Sequence, residues 1–180
     1  MEEIRMRAAT PEDALRFMEI YNQAIAQGSC TCDTEPVSLQ NRLDWIREHQ
    51  GSRCPIFACL QGGQVIGYSY LTAYRPGRRA VENVAEVSYY LDFSAHGQGI
   101  GSWMLQRTIQ KAEERGFTTL IAILVESNEK SIALLRKFGF AEWGRLPGIV
   151  SLGGRHLDHL YYGRHLPRKQ KETGIRGVHL

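Results

Sequence analysis

Residues 84–114 restrict this chain more than any other stretch. VAEVSYYL alternates like a strand, AHGQGIGS turns, and Ile100, Met104, Leu105, Thr108, Ile109 and Ala112 then recur at helical spacing. A strand, a glycine turn and a helix are predicted in direct succession. Gly97, Gly99 and Gly101 alternate with Gln98 and Ile100, so the turn offers backbone at the helix start. Successive N–H groups there, aided by the helix dipole, suit a bound pyrophosphate. A plain tight turn would not by itself need three glycines in five residues. Two other phosphate motifs do not match. The dinucleotide fingerprint G-x-G-x-x-G needs glycine where Ser102 stands, and no Lys-Ser/Thr follows as a P-loop requires.

The flanking sequence supplies more strands and helices. Ile4–Ala8 reads as a short strand. Thr10 caps and Pro11 opens a helix carrying Leu15, Met18, Ile20, Tyr21 and Ile25, which Gly28 ends. Ser38 caps a second helix with Leu39, Leu43, Trp45 and Ile46. PIFACLQ and VIGYSYLTAY flank Gly62-Gly63, a hairpin signal. TTLIAILVES is continuously apolar and is expected to be buried on both faces. Asn128–Phe138 is a helix stopped by Gly139, and GFAEWGRL and RHLDHLYYGRHL add two strands. The order β-α-α-β-β-β-α-β-α-β-β, without repeats or a linker, predicts one mixed α/β domain over residues 1–166 with a largely antiparallel sheet.

Bulk properties narrow the partners. A chain of 180 residues with 43% hydrophobic and 23% charged residues can bury a core without staples. A net charge of +3 does not by itself imply nucleic acid, and several basic residues fall in the C-terminal stretch. Residues 167–180 are read as a flexible, solvated basic tail. The longest apolar run, Leu120–Val125, is too short to cross a bilayer, and the N-terminus lacks signal-peptide form. A cytoplasmic protein with no membrane partner is expected. Cys30 and Cys32 form a C-x-C with no second ligand pair at zinc spacing. They read, with Cys54 and Cys59, as reduced thiols rather than metal ligands.

Across Ile4–Leu166 the chain resembles the GCN5-related N-acetyltransferases (GNAT), within them the phosphinothricin or methionine sulfoximine acetyltransferase-like group. The resemblance rests on IYNQAI with TCDTEPVS and RLDW, AEVSYYL, HGQGIG, SNEKSIALLRKFGF and GRHLD. It implies the GNAT fold, a mixed and mostly antiparallel sheet with about four helices. It also implies acetyl-CoA as co-substrate, no metal, a small-molecule amine as acceptor, and a homodimer. The aromatic LYYG strand is a plausible contact for that dimer. The implied cofactor residues are Ser88, Tyr89, Tyr90 and Leu91 along the thioester and pantetheine arm, and His96, Gly97, Gln98, Gly99, Ile100, Gly101 and Ser102 around the pyrophosphate. Asn128 and Ser131 follow the apolar strand. Asn128 also fits the N-cap of the next helix. His96 stands where the family has Gln or Arg.

Amide formation from a thioester needs a proton acceptor, a donor for the oxyanion and support for the departing thiolate. Glu86 is the candidate base, because a carboxylate inside an apolar strand is costly unless it has partners or a purpose. Semi-burial would raise its pKa towards neutrality. The resemblance assigns it the same role. Leu135 occupies the position where many members carry a Tyr or His acid. Water, Tyr89 or Tyr90 would then serve, or the thiolate leaves as the anion. Arg75 and Arg78, with Arg79 beside them, are candidates for a substrate carboxylate. Cys32 stands at a substrate position that is often aromatic in the family. The family pattern Arg-x-Ala-Tyr-x-x-Thr-x-Glu keeps Arg78, Ala80 and Glu86 but has Val81 and Val84 for Tyr and Thr. The expected activity is acetylation of an amino acid or amino-acid analogue. A peptide or protein acetyltransferase and a non-catalytic acyl-CoA-binding module are the alternatives.

Overall fold

Where the strands stop pairing decides the shape of this sheet. The computed structural model describes residues 3–167, so all but Pro167 of the tail expected at 167–180 lies outside the described residues. Seven strands run β1 (Ile4–Ala8), β2 (Ile56–Gln61), β3 (Gln64–Ala73), β4 (Val84–Leu91), β5 (Thr119–Val125), β6 (Ala141–Leu152) and β7 (Arg155–His165). They lie in the order β1-β2-β3-β4-β5-β7-β6, and every neighbouring pair is antiparallel except β4–β5. This is the mixed, mostly antiparallel sheet the sequence predicts, with four helices: α1 (Ala14–Gln27), α2 (Leu39–His49), α3 (Ile100–Glu114) and α4 (Glu129–Lys137).

The helices divide between the two faces. Phe17, Ile20 and Ile46 of α1 and α2 pack with Ile56, Ala58 and Tyr68 on one face. Leu105, Ile109 and Ala112 of α3 and Leu135 of α4 pack with Val87, Leu120, Ala122 and Leu160 on the other. Thr108 pins α3 to the sheet, its hydroxyl bonding that of Ser69 at 2.6 Å and donating to the Met104 carbonyl at 2.8 Å. Strand alternation then puts Glu86, Ser88 and Tyr90 of β4 towards α1 and α2, and Ala85, Val87 and Tyr89 towards α3 and α4.

Two expectations are corrected. TTLIAILVES is not buried on both faces: Leu120, Ala122 and Leu124 are buried beneath α3 and α4, while Ile121 and Ile123 are half-buried. Helices α1 and α2 pack over β2–β4, which leaves that side of β5 without a helix. The strand read at GFAEWGRL also continues through Pro147 to Leu152. The register slips between Leu146 and Val150, and the Gly148 N–H turns to Asp158 at 2.9 Å. An edge strand can hold a proline in such a bulge.

The one parallel contact is short. Val84, Ala85 and Glu86 pair with Thr119, Leu120 and Ile121, and no pair follows. Beyond Glu86, β4 stays on β3 and β5 stays on β7. The two strands diverge and leave one edge of Val87–Leu91 unpaired within the sheet.

Asp92, just past β4, fixes the chain as it leaves this gap. Its carboxylate accepts from Arg16 at 2.7 Å, Gln23 at 3.4 Å, and the Ser94 N–H and hydroxyl at 2.9 and 2.6 Å. Burial alone would raise this carboxyl, but the Ser94 and Arg16 hydrogen bonds outweigh it and hold the group down to about 2. Asp92→Asn should therefore cost about 1–3 kcal/mol at pH 7. Stability from a depressed carboxyl is present above the unfolded value and lost as pH falls through the folded one. The deficit, measured by urea unfolding, should shrink as pH drops below 4 towards about 2.

Candidate active site

The divergence of β4 and β5 opens a cleft of about 580 Å³. Its walls are Tyr89, Tyr90 and Leu91 of β4, the turn with His96, Gly97 and Gly99, and Gly101, Ser102 and Met104 of α3. Ser127, Asn128, Lys130 and Ser131 close the β5 side, and Ala24, Gln27 and Cys30 stand at the end of α1. Most of the predicted cofactor residues thus meet in one place. Three do not line it. Ile100 is 1% exposed in the core, Gln98 turns its amide to the Ser94 carbonyl at 3.1 Å, and Ser88 faces the α1–α2 side.

The glycine turn is built for close approach. Gly97 and Gly99 have φ of 77° and 78°, the left-handed region that other residues enter only at a cost. A Cβ on Gly101 would meet Leu134 at 3.7 Å, an ordinary contact, so the packing of α3 on α4 does not itself demand glycine there. The first-turn N–H groups of α3 have no intrahelical acceptor and carry the positive end of its dipole. Lys130 lines the cleft, and Lys137 donates to the Ser102 hydroxyl at 3.3 Å. Sequence reasoning missed both lysines, although their seven-residue spacing places them on one side of α4. His96 does not reach out in place of the family's Gln or Arg. Its Nε2 donates to the Leu91 carbonyl at 3.1 Å and its ring packs on Phe93, bracing the turn. Asn128 serves as the N-cap of α4, accepting from the Ser131 N–H at 3.3 Å.

Two hydroxyls in this cleft are unusual. Tyr89 Oη and Ser127 Oγ are buried, and neither makes a hydrogen bond of good geometry among the described residues, although the Ser131 side chain lies near the phenol. Burial pushes the Tyr89 phenol up to about 12, with Ser131 drawing it partly back. Tyr90 projects to the opposite face, with its ring against Tyr21 at 4.8 Å and Tyr68 at 5.4 Å.

Glu86 sits where pairing ends. It is half-buried, its carboxylate forms no hydrogen bond or ion pair with the described residues, and burial raises its pKa. Its cross-strand partner is Thr72, and its charge adds to the burial that raises the Tyr70 phenol. Cys32 lies in the α1–α2 loop, which Tyr21 anchors through Asp33 at 2.6 Å and Thr31 at 3.0 Å. Its thiol stands 3.7 Å from His159 Nε2. Burial, then Asp33, raises the thiol, and burial lowers the imidazole, so the pair is neutral at pH 7. No local pattern announces this contact between residues so far apart in the chain. Arg75 and Arg78 are exposed on the β3–β4 loop and line neither the cleft nor the Cys32 contact; Arg75 lies over the Tyr74 ring at 5.9 Å. Among the described residues no group of three or more His, Cys, Asp or Glu is gathered as for a metal, and no helix is long and apolar enough to span a membrane.

Comparison with known proteins assigns the class. A family model described as an acetyltransferase (GNAT) domain matches residues 6–161. The chain belongs to this family and is an acetyltransferase. The Bacillus subtilis (strain 168) protein YwnH, provisionally named a phosphinothricin acetyltransferase, is 38% identical over 89% of this chain and 98% of its own. The L-methionine sulfoximine/L-methionine sulfone acetyltransferase of Pseudomonas aeruginosa PAO1 is 30% identical over 85% and 89%. Among solved structures, the GNAT superfamily phosphinothricin acetyltransferase of Sinorhizobium meliloti, in complex with AcCoA, superposes with a TM-score of 0.85. It is 31% identical and covers 91% of this chain and 88% of its own. Acetyl-CoA is the acetyl donor of the family.

The left-handed turn yields a direct expectation. Gly99→Ala should lower stability by about 1–2 kcal/mol in urea unfolding. It should also weaken CoA binding about tenfold by calorimetry, because the turn must shift to relieve the new side chain.

Proposed function

We propose that the protein transfers an acetyl group from acetyl-CoA to the primary amine of a small amino acid or amino-acid analogue, of the phosphinothricin or methionine sulfoximine type, with Glu86 as general base. The observation that carries this reading is an unpaired, half-buried carboxylate at the last position where β4 and β5 pair. The left-handed glycines, the α3 N-terminus and the unpartnered Tyr89 and Ser127 hydroxyls fit a phosphorylated, polar cofactor arm. Acetyl-CoA, when bound, supplies an activated acyl carbon and a thiolate leaving group.

The remaining work falls to the protein. Glu86 accepts a proton from the acceptor ammonium, directly or through water, and its raised pKa makes it a better base than an ordinary carboxylate. The unpaired edge of Ser88–Leu91 offers backbone N–H groups to a developing oxyanion. Leu135 is 1% exposed in the core and has no proton to give. The Tyr89 hydroxyl fills that need differently. A phenol near 12 would give its proton to a thiolate near 8.5 only at a cost of about 5 kcal/mol. Tyr89 therefore stays protonated and donates a hydrogen bond to a thiolate that leaves as the anion. Arg75 and Arg78 add positive charge at the far end of β3 and β4, and Cys32 with His159 borders the acceptor side.

A homodimer belongs to this reading. Of LYYG, Leu160 and Tyr162 lie in the core, so self-association would instead use Tyr161 and the exposed Trp143, Leu146 and Ile149 of β6. Light scattering reads the outcome directly.

Glu86→Gln should lower kcat about 10²–10³-fold at pH 7–8 in a thiol-release assay with a panel of amino acids. A carboxyl raised in the fold costs stability once pH exceeds its folded value, so the same variant should unfold at an equal or higher temperature than wild type at pH 8. Tyr89→Phe should lower kcat about tenfold while leaving the Kd for CoA within about threefold, since it removes a bond made mainly to the leaving thiolate.

A further inference from the structure

Arg42 of α2 is 7% exposed, yet its side chain forms no hydrogen bond and no ion pair with any described residue, and its Nε is buried without a partner. Its guanidinium lies over two rings, 4.2 Å from the Tyr21 centroid and 4.9 Å from that of Trp45. Cation–π contacts of this kind return only part of what removing a guanidinium from water costs, and an arginine buried at such depth is ordinarily paired. The aromatic cage holds the group in place without neutralising it.

The surroundings indicate what the cage serves. Trp45 packs on Tyr70 at 4.9 Å, and Tyr21 packs on Tyr90 at 4.8 Å. Tyr70 and Tyr90 sit on the same sheet face as Glu86 and Ser88, and Tyr70 pairs across the strands with Ser88. Burial chiefly raises the Tyr70 hydroxyl and Ser88 draws it back, and it also feels both charges, Glu86 raising it and Arg42 lowering it. An unpaired cation and an unpaired anion thus stand near one tyrosine hydroxyl, and they do not pair with each other. Tyr68 Oη, buried without a partner, adds a polar group to the same wall.

We infer that Arg42 binds the carboxylate of the acceptor, so that Arg42 and Glu86 together receive an α-amino acid as its zwitterion, carboxylate on the guanidinium and ammonium beside the base. The inference rests on Glu86 as the base of the proposed reaction. It assigns carboxylate recognition to a residue within the fold rather than to the exposed Arg75 and Arg78. It also ranks amines that carry an anion close to the amino group above simple alkylamines, which lack the carboxylate contact and react as poor acceptors.

The test compares each good amino-acid acceptor with its decarboxylated amine, in wild type and in Arg42→Gln, Arg42→Lys and Arg78→Gln variants. Arg42→Gln should lower kcat/KM for the amino acid about 100-fold, mostly through KM, and change the decarboxylated amine less than about threefold. Arg42→Lys should fall between, because it keeps the charge but loses the planar fork. Heat protection of the CoA-loaded protein by the amino acid should vanish in Arg42→Gln, while the Kd for CoA stays unchanged. If Arg42→Gln lowers both acceptors equally, the residue is structural and the inference fails. If Arg78→Gln alone raises KM for the amino acid, carboxylate recognition lies on the loop and the inference also fails. A wild type that acetylates decarboxylated amines but no amino acid overturns the inference and leaves the acetyltransfer reading intact; no turnover with any amine overturns both.

Discussion

The parallel contact between β4 and β5 lasts for three residue pairs, and most of the site follows from its ending there. Were the pairing to continue, the edge of Val87–Leu91 would be spent on β5 and the cleft would be filled by ladder hydrogen bonds. Because it stops at Glu86, backbone donors are left for a ligand and the two faces of the sheet communicate through the gap. The glycine turn and the α3 N-terminus approach it from one face, and the α1–α2 loop with its aromatic cluster approaches from the other. A donor and an acceptor can therefore arrive from opposite sides and meet at the strand carrying the carboxylate.

Polar groups in this protein fall into two populations. Asp13 and Asp92 are buried with several hydrogen bonds each: Asp13 takes both nitrogens of Arg7 at 2.7 Å and the Thr10 N–H at 2.8 Å. These residues tie α1 to the sheet, Asp13 through Arg7 of β1 and Asp92, just past β4, through Arg16. Glu86, Arg42, Tyr89 and Ser127 are also withdrawn from water, but among the described residues none has a well-formed hydrogen bond or ion pair for the charge or hydroxyl it carries. A fold that satisfies its structural carboxylates so fully has the means to satisfy these as well. Their isolation is what supports the proposed substrate roles, and for Glu86, Tyr89 and Ser127 it coincides with the gap between β4 and β5.

The local features were legible in the sequence. The glycine turn declares itself because left-handed φ at Gly97 and Gly99 leaves few alternatives, and Glu86 stands out because a carboxylate conflicts with the strand around it. Element order came equally well from caps and periodicity. What the sequence concealed is non-local. Nothing in AEVSYYL or TTLIAILV announces that their pairing ends after three residues. Arg42 is one basic residue in a polar helix until Tyr21 and Trp45 fold over it, and Cys32 meets His159 only through the tertiary fold. Pro147 reads as the end of a strand because its bulge is accommodated only at a sheet edge. His96 differs from the family's Gln or Arg, yet its bond to Leu91 shows a bracing role that spacing does not reveal.

The central claim is that Glu86, raised by burial, sets the protonation state required for catalysis. The decisive measurement compares its titration, followed by the side-chain carboxyl ¹³C resonance in the CoA-bound protein, with the acid limb of kcat/KM. Coincident midpoints, both above the usual carboxylate value of 4.5, are predicted. A Glu86 that titrates at or below that value, or an acid limb that persists unchanged in Glu86→Gln, would contradict the account.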